Sequence, residues 1–307
     1  MTTTKQLLKR GVQTLLSPRL AARPAAREFF FLVAREFTPS LVADIGPIRY
    51  HVSTADRTVG REVFLTGGYD DSALARVLRL LRGFGGGVFG AKTFVDIGAN
   101  IGTSTLPAVL RHGFARAVAV EPDETNHTLL TQSVVANGLE QRVKTIRAAL
   151  SDEEKEVLLE RCPVNHGDHR VRSGDLLPTA APGAREAVPV FATTFDALVR
   201  RGLIPLDEVG LVWIDTEGHE GHVFRGARSL LASDIPVVVK FRPQALERAH
   251  GLEWFEHLAQ THYPWMVDTR AADADKPVLL PTAQLGALRG GYRDGAKTDL
   301  LLLKSRP

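Results

Sequence analysis

The chain has 307 residues, of which 44% are hydrophobic and 24% charged, and its formal charge is +3. Such a length and composition are those of a globular protein with one large core, or one domain with an accessory segment, and the small charge argues against nucleic acid as a partner. The single cysteine, Cys162, excludes an internal disulfide framework and fits a reducing, cytoplasmic location; we interpret it as structural.

Residues 1–45 are predicted to form a basic helical extension ahead of a main domain over 46–307. Between positions 5 and 35 there are seven Lys or Arg residues, against the two acids Glu28 and Glu36. The apolar run at 29–34 is too short and too late for a signal peptide, and no run approaches the roughly 18 residues of a membrane helix. We expect this extension to pack on the main domain, with weak contact to an anionic membrane surface as the alternative.

The spacing of apolar residues predicts the elements that follow. Residues 48–52 alternate like a strand, and 59–83 have helical spacing around a break at Gly67-Gly68. Further strands are predicted at 93–97, 117–121, 143–149, 154–161, 210–214, 235–239 and 299–303, and further helices at about 102–112, 124–137, 194–201 and 220–232. This alternation predicts an α/β protein with a Rossmann-like, doubly wound, mostly parallel sheet that binds ligands at the carboxyl ends of its strands.

The stretch 94–102 reads FVDIGANIG, a short apolar strand followed by an acid and a glycine turn. Asp96 would lie at the carboxyl end of the strand, and Gly98 and Gly102 would let a ligand approach bare backbone. The usual dinucleotide fingerprint has a glycine at the third position to make room for a pyrophosphate, whereas Asn100 fills it in this chain. The turn therefore favours a smaller, less anionic cofactor, and S-adenosylmethionine, which has no phosphate, fits.

A second acid, Glu121, ends the next predicted strand and is followed by Pro122. It stands about 20 residues past the glycine turn, where folds of this kind hold ribose hydroxyls. NAD-binding and S-adenosylmethionine-binding folds share such an acid, so Glu121 alone does not separate the two cofactors. A glycine turn in an α/β protein without a ligand is the less favoured alternative.

Four titratable residues follow the strand predicted at 210–214, namely Asp215, Glu217, His219 and Glu220. Methyl transfer to an alcohol needs the hydroxyl placed in line with the methyl carbon and a base for its proton. We predict that this cluster is catalytic, with Asp215 as the base and His219 or Glu220 beside it. A divalent metal held by the carboxylates could acidify the hydroxyl instead, but none is predicted. Glu220 could also merely favour a helix N-terminus.

Two further polar stretches are expected near the same edge of the sheet. Residues 166–170 (HGDHR) form a polar loop that either folds over a substrate or remains a solvated turn. Lys240 and Arg242 follow a later strand, where they either balance the carboxylates or bind an anionic group of a substrate.

Taken together, these residues resemble the FkbM-type family of S-adenosylmethionine-dependent methyltransferases over most of residues 90–245. The matching stretches are 94–102, 120–122 (VEP), 149–152 (ALSD) and, most specifically, 214–220 (IDTEGHE) with Gly226-Ala227 behind it. The resemblance implies a class I methyltransferase fold and O-methylation of a hydroxyl on a sugar, glycolipid or secondary metabolite. It also implies that Ser151 and Asp152 lie beside the adenine of the cofactor.

Two positions depart from the family pattern. Trp213 stands where many members have a lysine, and Lys240 stands where the strand often ends in a glutamate. The second departure leaves the acceptor class open, while the cofactor residues are unaffected.

Three other functions are weighed against an O-methyltransferase. A binding or scaffold protein that keeps the fold without catalysis is opposed by the intact Asp96, Glu121 and Asp215, while Lys240 leaves it open. An NAD-dependent oxidoreductase is opposed by Asn100. A nucleic-acid methyltransferase lacks support because the sequence has no basic, aromatic-lined stripe and no Asn-Pro-Pro-aromatic motif.

Overall fold

The computed structural model describes residues 24–85, 89–172, 185–271 and 278–306. Within these ranges the chain forms an eight-stranded sheet, a four-stranded sheet and a two-stranded hairpin. None of the helices in the described ranges combines the length and hydropathy that a membrane-spanning segment requires.

Helices and strands alternate along most of the chain. The N-terminal part contains α1 (Pro24–Ala34), β1 (Ser40–Ile45), β2 (Ile48–Ser53), α2 (Val59–Thr66) and α3 (Asp71–Gly83). The first half of the large sheet and its helices are β3 (Thr93–Ile97), α4 (Thr105–Leu110), β4 (Arg116–Val120), α5 (Glu124–Ala136) and β5 (Val143–Ile146). The small sheet follows with β6 (Ala149–Leu150), β7 (Lys155–Arg161), β8 (Arg170–Val171) and β9 (Glu186–Thr193). The remaining elements are α6 (Phe195–Arg200), β10 (Val209–Ile214), α7 (Glu220–Arg225), α8 (Arg228–Ala232), β11 (Val237–Phe241), α9 (Pro243–Arg248), α10 (Leu252–His262), β12 (Trp265–Asp268), β13 (Leu280–Pro281), α11 (Leu285–Arg289) and β14 (Thr298–Leu303).

The large sheet has the strand order β13-β12-β14-β11-β10-β3-β4-β5. Strands β3, β4, β5, β10 and β11 pair in parallel, and β14 is antiparallel to both β11 and β12. The predicted doubly wound, mostly parallel sheet is therefore confirmed. The chain runs outward through β4 and β5 and returns to β10 on the other side of β3, so the strand order reverses between β3 and β10. A ligand cleft is expected to open at this switch point.

Alternate side chains of the central strands enter two separate apolar cores. Phe94 and Trp213 face the core on one side of the sheet, while Val95 and Val212 face the core on the other. All five residues of β3 are buried because helices cover both faces of the sheet. This is why the strands appear in the sequence as short, continuous apolar runs.

The N-terminal part differs from the predicted extension. Helix α1 packs on α2, and β1 pairs antiparallel with β2 from Ser40–Ser53 to Ile45–Ile48. Residues 40–45 are thus the first strand of a hairpin that crosses the boundary predicted at residue 45. The two strands belong together because the backbone N–H and C=O groups of β1 bond to those of β2. Residues 1–23 of the predicted extension lie outside the described residues.

Two other predicted elements are divided in the structure. The strand predicted at 143–149 becomes β5 in the large sheet and β6, which pairs with β9 in the small sheet. The helix predicted at 220–232 is interrupted at Gly226, where a Cβ atom would lie 2.1 Å from the backbone oxygen of Ser151. This close approach accounts for the glycine at that position.

Candidate functional site

Two cavities meet at the carboxyl ends of β3 and β10. The larger has a volume of about 480 Å³ and the smaller about 50 Å³. Residues that line both are Gly98, Asn100, Gly167, Asp215 and Glu217. The site therefore lies at the switch point of the sheet, and the residues after β3 and β10 form the wall between its two parts.

The turn after β3 is shaped by two residues with left-handed backbone, Gly98 (φ 86°) and Asn100 (φ 51°). A Cβ atom on Gly98 would lie only 1.9 Å from the backbone oxygen of Asp215. At Gly102, a Cβ atom would lie 2.8 Å from Cδ1 of Leu130, and this glycine is not among the residues that line the two cavities. Both glycines thus allow close packing within the protein, and Gly98, which lines both cavities, also stays a predicted point of ligand approach.

Glu121 follows β4 and lines the smaller cavity. Its Oε2 accepts a hydrogen bond from the backbone N of Asn100 at 2.9 Å, and its Oε1 accepts one from the backbone N of Asp123 at 2.9 Å. Burial raises the pKa of Glu121 to about 8. The side chain of Asn126 is a third hydrogen-bond partner, so Glu121 is held in a fixed orientation, and its remaining lone pairs can accept from a ligand.

Asp96, the fourth residue of β3, lines the larger cavity with only 1% of its surface exposed. The hydroxyl of Thr105, at the start of α4, donates to its Oδ2 at 2.5 Å. Burial raises the pKa of Asp96 to about 7, and the neighbouring carboxylates Asp70 and Asp215 act in the same direction. A carboxyl group with this pKa can gain or lose a proton near neutrality.

The smaller cavity is lined by apolar residues and by the polar loop at 166–170, which we call the cover. Ala148, Ala149 and Leu150 line it, as do residues of the turn His166–Asp168. The backbone oxygen of His166 accepts from the side-chain amides of Asn100 at 3.3 Å and Asn126 at 3.0 Å. The loop at 166–170 therefore lies over this cavity, as one of the two sequence interpretations has it.

Ser151 and Asp152 lie next to this cavity but do not line it. The Ser151 hydroxyl donates to Asp152 at 3.0 Å and lies 2.9 Å from Nε2 of His219, while Asp152 pairs with Arg225 at 2.9 Å. The three residues before them form the wall where they were expected. Ser151 thus contacts the cavity through His219, and a position of Ser151 and Asp152 beside the adenine stays a prediction.

Asp215 lies directly after β10 and is 24% exposed. Its Oδ2 pairs with Nζ of Lys240 at 3.1 Å, and Lys240 also pairs with Asp299 on β14 at 2.8 Å. Although burial alone would lower it, the pKa of Lys240 is raised well above its ordinary value by Asp215, Asp299 and Asp70. Lys240 thus balances the carboxylates, which was one of its two predicted roles. Oδ1 of Asp215 is buried and has no hydrogen-bond partner among the described residues.

Glu217 has a left-handed backbone (φ 52°) that directs it to the same wall. Its side chain pairs with Arg242 at 2.9 Å and lies 3.7 Å from Nζ of Lys297. Burial, together with Asp215, raises the pKa of Glu217. Arg242 also lies 3.7 Å from Asp168 in the cover. Glu217 is therefore part of an ion-pair network that joins the cover to the rest of the site.

His219 and Glu220 are buried away from the larger cavity. Burial, with a smaller effect of His222, lowers the pKa of His219 to about 3, so its imidazole is neutral. His219 lines the smaller cavity and not the larger one. The Oε1 atom of Glu220 accepts from the backbone N of Thr216 at 2.9 Å and of Gly218 at 3.3 Å. Glu220 lines neither cavity. Glu220 thus fixes the turn that presents Asp215 and Glu217. His219 shares only the smaller cavity with Asp215, and its role beside the base stays a prediction.

The role of Glu220 predicts a pH dependence of stability. Burial raises its pKa from 4.5 to about 7, so between these values the folded protein keeps a proton that the unfolded chain has lost. Its contribution is complete below pH 4.5 and is lost as the pH rises to about 7, with a slope of up to about 1.4 kcal/mol per pH unit. Glu220→Gln, which keeps the acceptor oxygen, is expected to flatten the fall of the unfolding free energy in urea titrations at pH 5, 6 and 7. The exposed Glu156→Gln is the control, and equal slopes in all three proteins would contradict this role.

Several residues of the larger cavity were missed by sequence analysis. Its further polar walls come from Asp70, Arg76, Thr103, Lys297 and Asp299. The Thr103 hydroxyl donates to Asp70 at 2.6 Å. Asp70 and Asp299 are brought to the cavity from distant parts of the chain, and only the position of Asp299 at the start of an apolar strand gave a signal. Within the described residues no group of three or more His, Cys, Asp or Glu could hold a metal ion.

A sequence model of the Methyltransferase FkbM domain matches residues 96–263, which is more than half of the chain. No significant match was found among curated proteins.

Solved structures with a similar fold were also found. Methyltransferase FkbM from Methylobacillus flagellatus KT is 15% identical, with 69% of this chain and 44% of that chain covered and a TM-score of 0.42. P. horikoshii TYW2 in complex with MeSAdo is 13% identical, with 94% and 87% covered and a TM-score of 0.42. An O-methyltransferase from Bacillus cereus in complex with SAH is 12% identical, with 76% and 81% covered and a TM-score of 0.40. The matched part is less than half of the M. flagellatus protein, and at these identities the likenesses concern the fold alone.

Proposed function

The chain belongs to the FkbM methyltransferase domain family, and we propose on this premise that it is an S-adenosylmethionine-dependent O-methyltransferase. The acceptor is a hydroxyl of a sugar, glycolipid or secondary metabolite. The observation that carries the proposal is the position of Glu121, which two backbone N–H groups hold at the smaller cavity. The larger cavity lies next to it, and Asp215 lines both cavities.

The smaller cavity has the hydrogen-bond acceptor and the apolar surface that an adenosyl group requires. Glu121 offers free lone pairs for the two ribose hydroxyls, and the apolar residues Ala148 and Leu150 offer a surface for the base. Two buried atoms at the wall, Thr216 Oγ1 and Asp215 Oδ1, have no partner among the described residues, as is expected where a polar ligand supplies one. The residues present therefore fit the chemistry of the cofactor, and the smaller cavity, at about 50 Å³, has to widen before an adenosyl group can enter.

The larger cavity has the groups that an acceptor hydroxyl requires. When bound, S-adenosylmethionine supplies a methyl group activated on a sulfonium sulfur. The part played by the protein is to hold the acceptor oxygen in line and to take its proton, and Asp215 is the carboxylate at the junction of the two cavities. Lys240 holds Asp215 in place, and the charged walls suit an acceptor with many hydroxyls.

The experiment that tests the cofactor site is calorimetry with S-adenosylhomocysteine. Glu121→Ala removes the hydrogen bonds to the ribose and is expected to weaken binding by about 1.5–3 kcal/mol, or roughly tenfold to a hundredfold. The matched control is Glu124→Ala, which removes a largely exposed carboxylate three residues later. Unchanged affinity in Glu121→Ala would overturn the assignment.

The ion pair between Lys240 and Asp215 favours one second candidate, a protein that binds the cofactor without transferring a methyl group. The ammonium occupies Oδ2 of Asp215, which is one of the two oxygens that could act as the base. Binding of S-adenosylhomocysteine to a protein that methylates no member of a broad panel of hydroxylated compounds would support this candidate.

A further inference from the structure

The larger cavity has two arginines that the proposed chemistry at Asp215 does not use. Arg76 lies on α3 and Arg270 directly after β12, and both line the cavity. Nη1 of Arg76 donates to the backbone oxygen of Thr269 at 3.0 Å, so its guanidinium group is held beside the residue that precedes Arg270. Two segments that are distant in the sequence thus bring cations to the same part of the cavity wall. We call Arg76 and Arg270 the cavity arginines.

The carboxylate across the sheet from Thr269 is used by another cation. Asp299 lies opposite Thr269 at the end of the β12–β14 pair, and its backbone oxygen accepts from the N of Thr269 at 3.0 Å. Its side chain is 3% exposed and pairs with Lys240 at 2.8 Å. In the parts of the chain that the structure describes, neither cavity arginine forms an ion pair with a carboxylate.

Asp268, the carboxylate closest to Arg270 in the chain, also binds other donors. Its Oδ1 accepts from the Thr298 hydroxyl at 2.5 Å and from the backbone N of Arg270 at 3.2 Å, and its Oδ2 accepts from the Tyr292 hydroxyl. Asp268 therefore fixes the turn after β12 and makes no ion pair with the guanidinium group of Arg270.

Two guanidinium groups at one wall of a cavity indicate the charge of the ligand. Two positive charges in a partly enclosed site repel each other, and an anion that binds both removes this repulsion. The planar N–H fork of a guanidinium group matches the oxygens of a carboxylate, phosphate or sulfate. A neutral ligand would leave both charges without a counter-ion.

The position of β12 sets how far such an anion lies from Asp215. Strands β11 and β12 are both antiparallel to β14, and β11 is parallel to β10, so Arg270 and Asp215 follow strands that end at the same edge of the sheet. Three strand intervals, or about 14 Å, separate β12 from β10. The larger cavity extends over this edge, because Asp215 and Arg270 both line it. A ligand that reaches both residues is therefore elongated.

We propose that the acceptor carries an oxyanion, a carboxylate, phosphate or sulfate, which Arg76 and Arg270 bind while its hydroxyl lies at Asp215. This inference rests on the proposed function, which specifies a hydroxyl and no charge. Arg76 is half-buried and held by Thr269, whereas Arg270 is exposed. Arg76 therefore orients the anion, and Arg270 adds charge at the opening of the cavity.

The test compares acceptors that differ only in the charged group, namely glucose with glucuronate, and maltose with its phosphate and sulfate esters. Calorimetry measures their binding to the full-length chain saturated with S-adenosylhomocysteine, and radiolabelled S-adenosylmethionine measures methyl transfer to them. At least one charged compound is expected to bind about tenfold more tightly than its neutral counterpart.

Arg76→Gln/Arg270→Gln is expected to remove most of this preference, because glutamine can still donate to Thr269 but has no charge. The affinity for S-adenosylhomocysteine is expected to stay the same, since neither arginine lines the smaller cavity. The matched control is Arg79→Gln, which removes an exposed arginine of α3 that lines neither cavity.

Equal affinities within every pair of compounds, or no binding of any charged compound, would overturn the inference. A preference that the double variant keeps, or that Arg79→Gln removes to the same extent, would overturn it as well. If the double variant does not fold, the single variant Arg270→Gln at its exposed position has to lower the preference. Failure of the proposed function gives a different result: selective binding of charged compounds without methyl transfer would support the arginine site and contradict the methyltransferase activity.

Discussion

Asp215→Asn is expected to lower the turnover number by about 10²–10⁴, the range typical of lost general-base assistance, while the affinity for S-adenosylhomocysteine stays nearly the same. The reason is position: Asp215 is at the junction of both cavities and keeps one oxygen free of protein partners among the described residues. Asparagine has the same shape and can remain next to Lys240, but it cannot take a proton.

Turnover would be measured with radiolabelled S-adenosylmethionine, after the acceptor is identified by screening hydroxylated compounds with the unmodified protein. The control is Asp234→Asn, an exposed residue in the loop before β11. Full activity in Asp215→Asn would show that the cluster is structural. If a chelator abolished activity and magnesium restored it, the carboxylates would be metal ligands and a base without metal would be wrong.

Gly98→Ala is expected to lower the free energy of unfolding by about 3–5 kcal/mol. Two costs add at this position: a left-handed backbone, at φ 86°, and a new Cβ atom 1.9 Å from the oxygen of Asp215. Because that neighbour is a backbone atom directly after β10, the ends of β3 and β10 would have to separate to relieve the contact.

The matched control for this prediction is Gly113→Ala. Gly113 has a similar backbone, φ 82°, but a Cβ atom there would have no neighbour within 4 Å. It therefore carries the cost of the backbone conformation alone, about 1–2 kcal/mol. Urea unfolding of both variants measures the difference, and equal losses of stability would show that the approach of β10 to Gly98 is not tight.

The sequence predicted the order and type of the central elements because their signals are local. Apolar runs at 93–97 and 210–214 indicate strands wherever their neighbours lie, and an acid at the end of a strand indicates a site. The reason why position 98 has to be a glycine could not be predicted in the same way. Its neighbour is the backbone of Asp215, and nothing local in either segment shows that the two approach each other.

Burial accounts for the other differences at the site. Asp215, Glu217, His219 and Glu220 are equally polar in the sequence, yet only the first two reach the larger cavity. The left-handed backbone of Glu217 and the hydrogen bonds that Glu220 accepts decide which side of the turn each residue faces. The spacing of these residues in the sequence gives no information about either. Asp70 and Asp299 were missed for a related reason, because each comes from a segment whose local pattern carries no other functional signal.

The position of β14 has a consequence for how the chain is made. This strand, residues 298–303, lies between β11 and β12, so it connects the outer part of the sheet, β12 and β13, to the rest. While the ribosome is still holding these residues, β11 has an open edge and Lys240 lacks Asp299 as a partner. The growing chain must therefore expose an apolar strand edge until residues 298–303 have left the ribosome, a period in which a nascent protein is prone to aggregate.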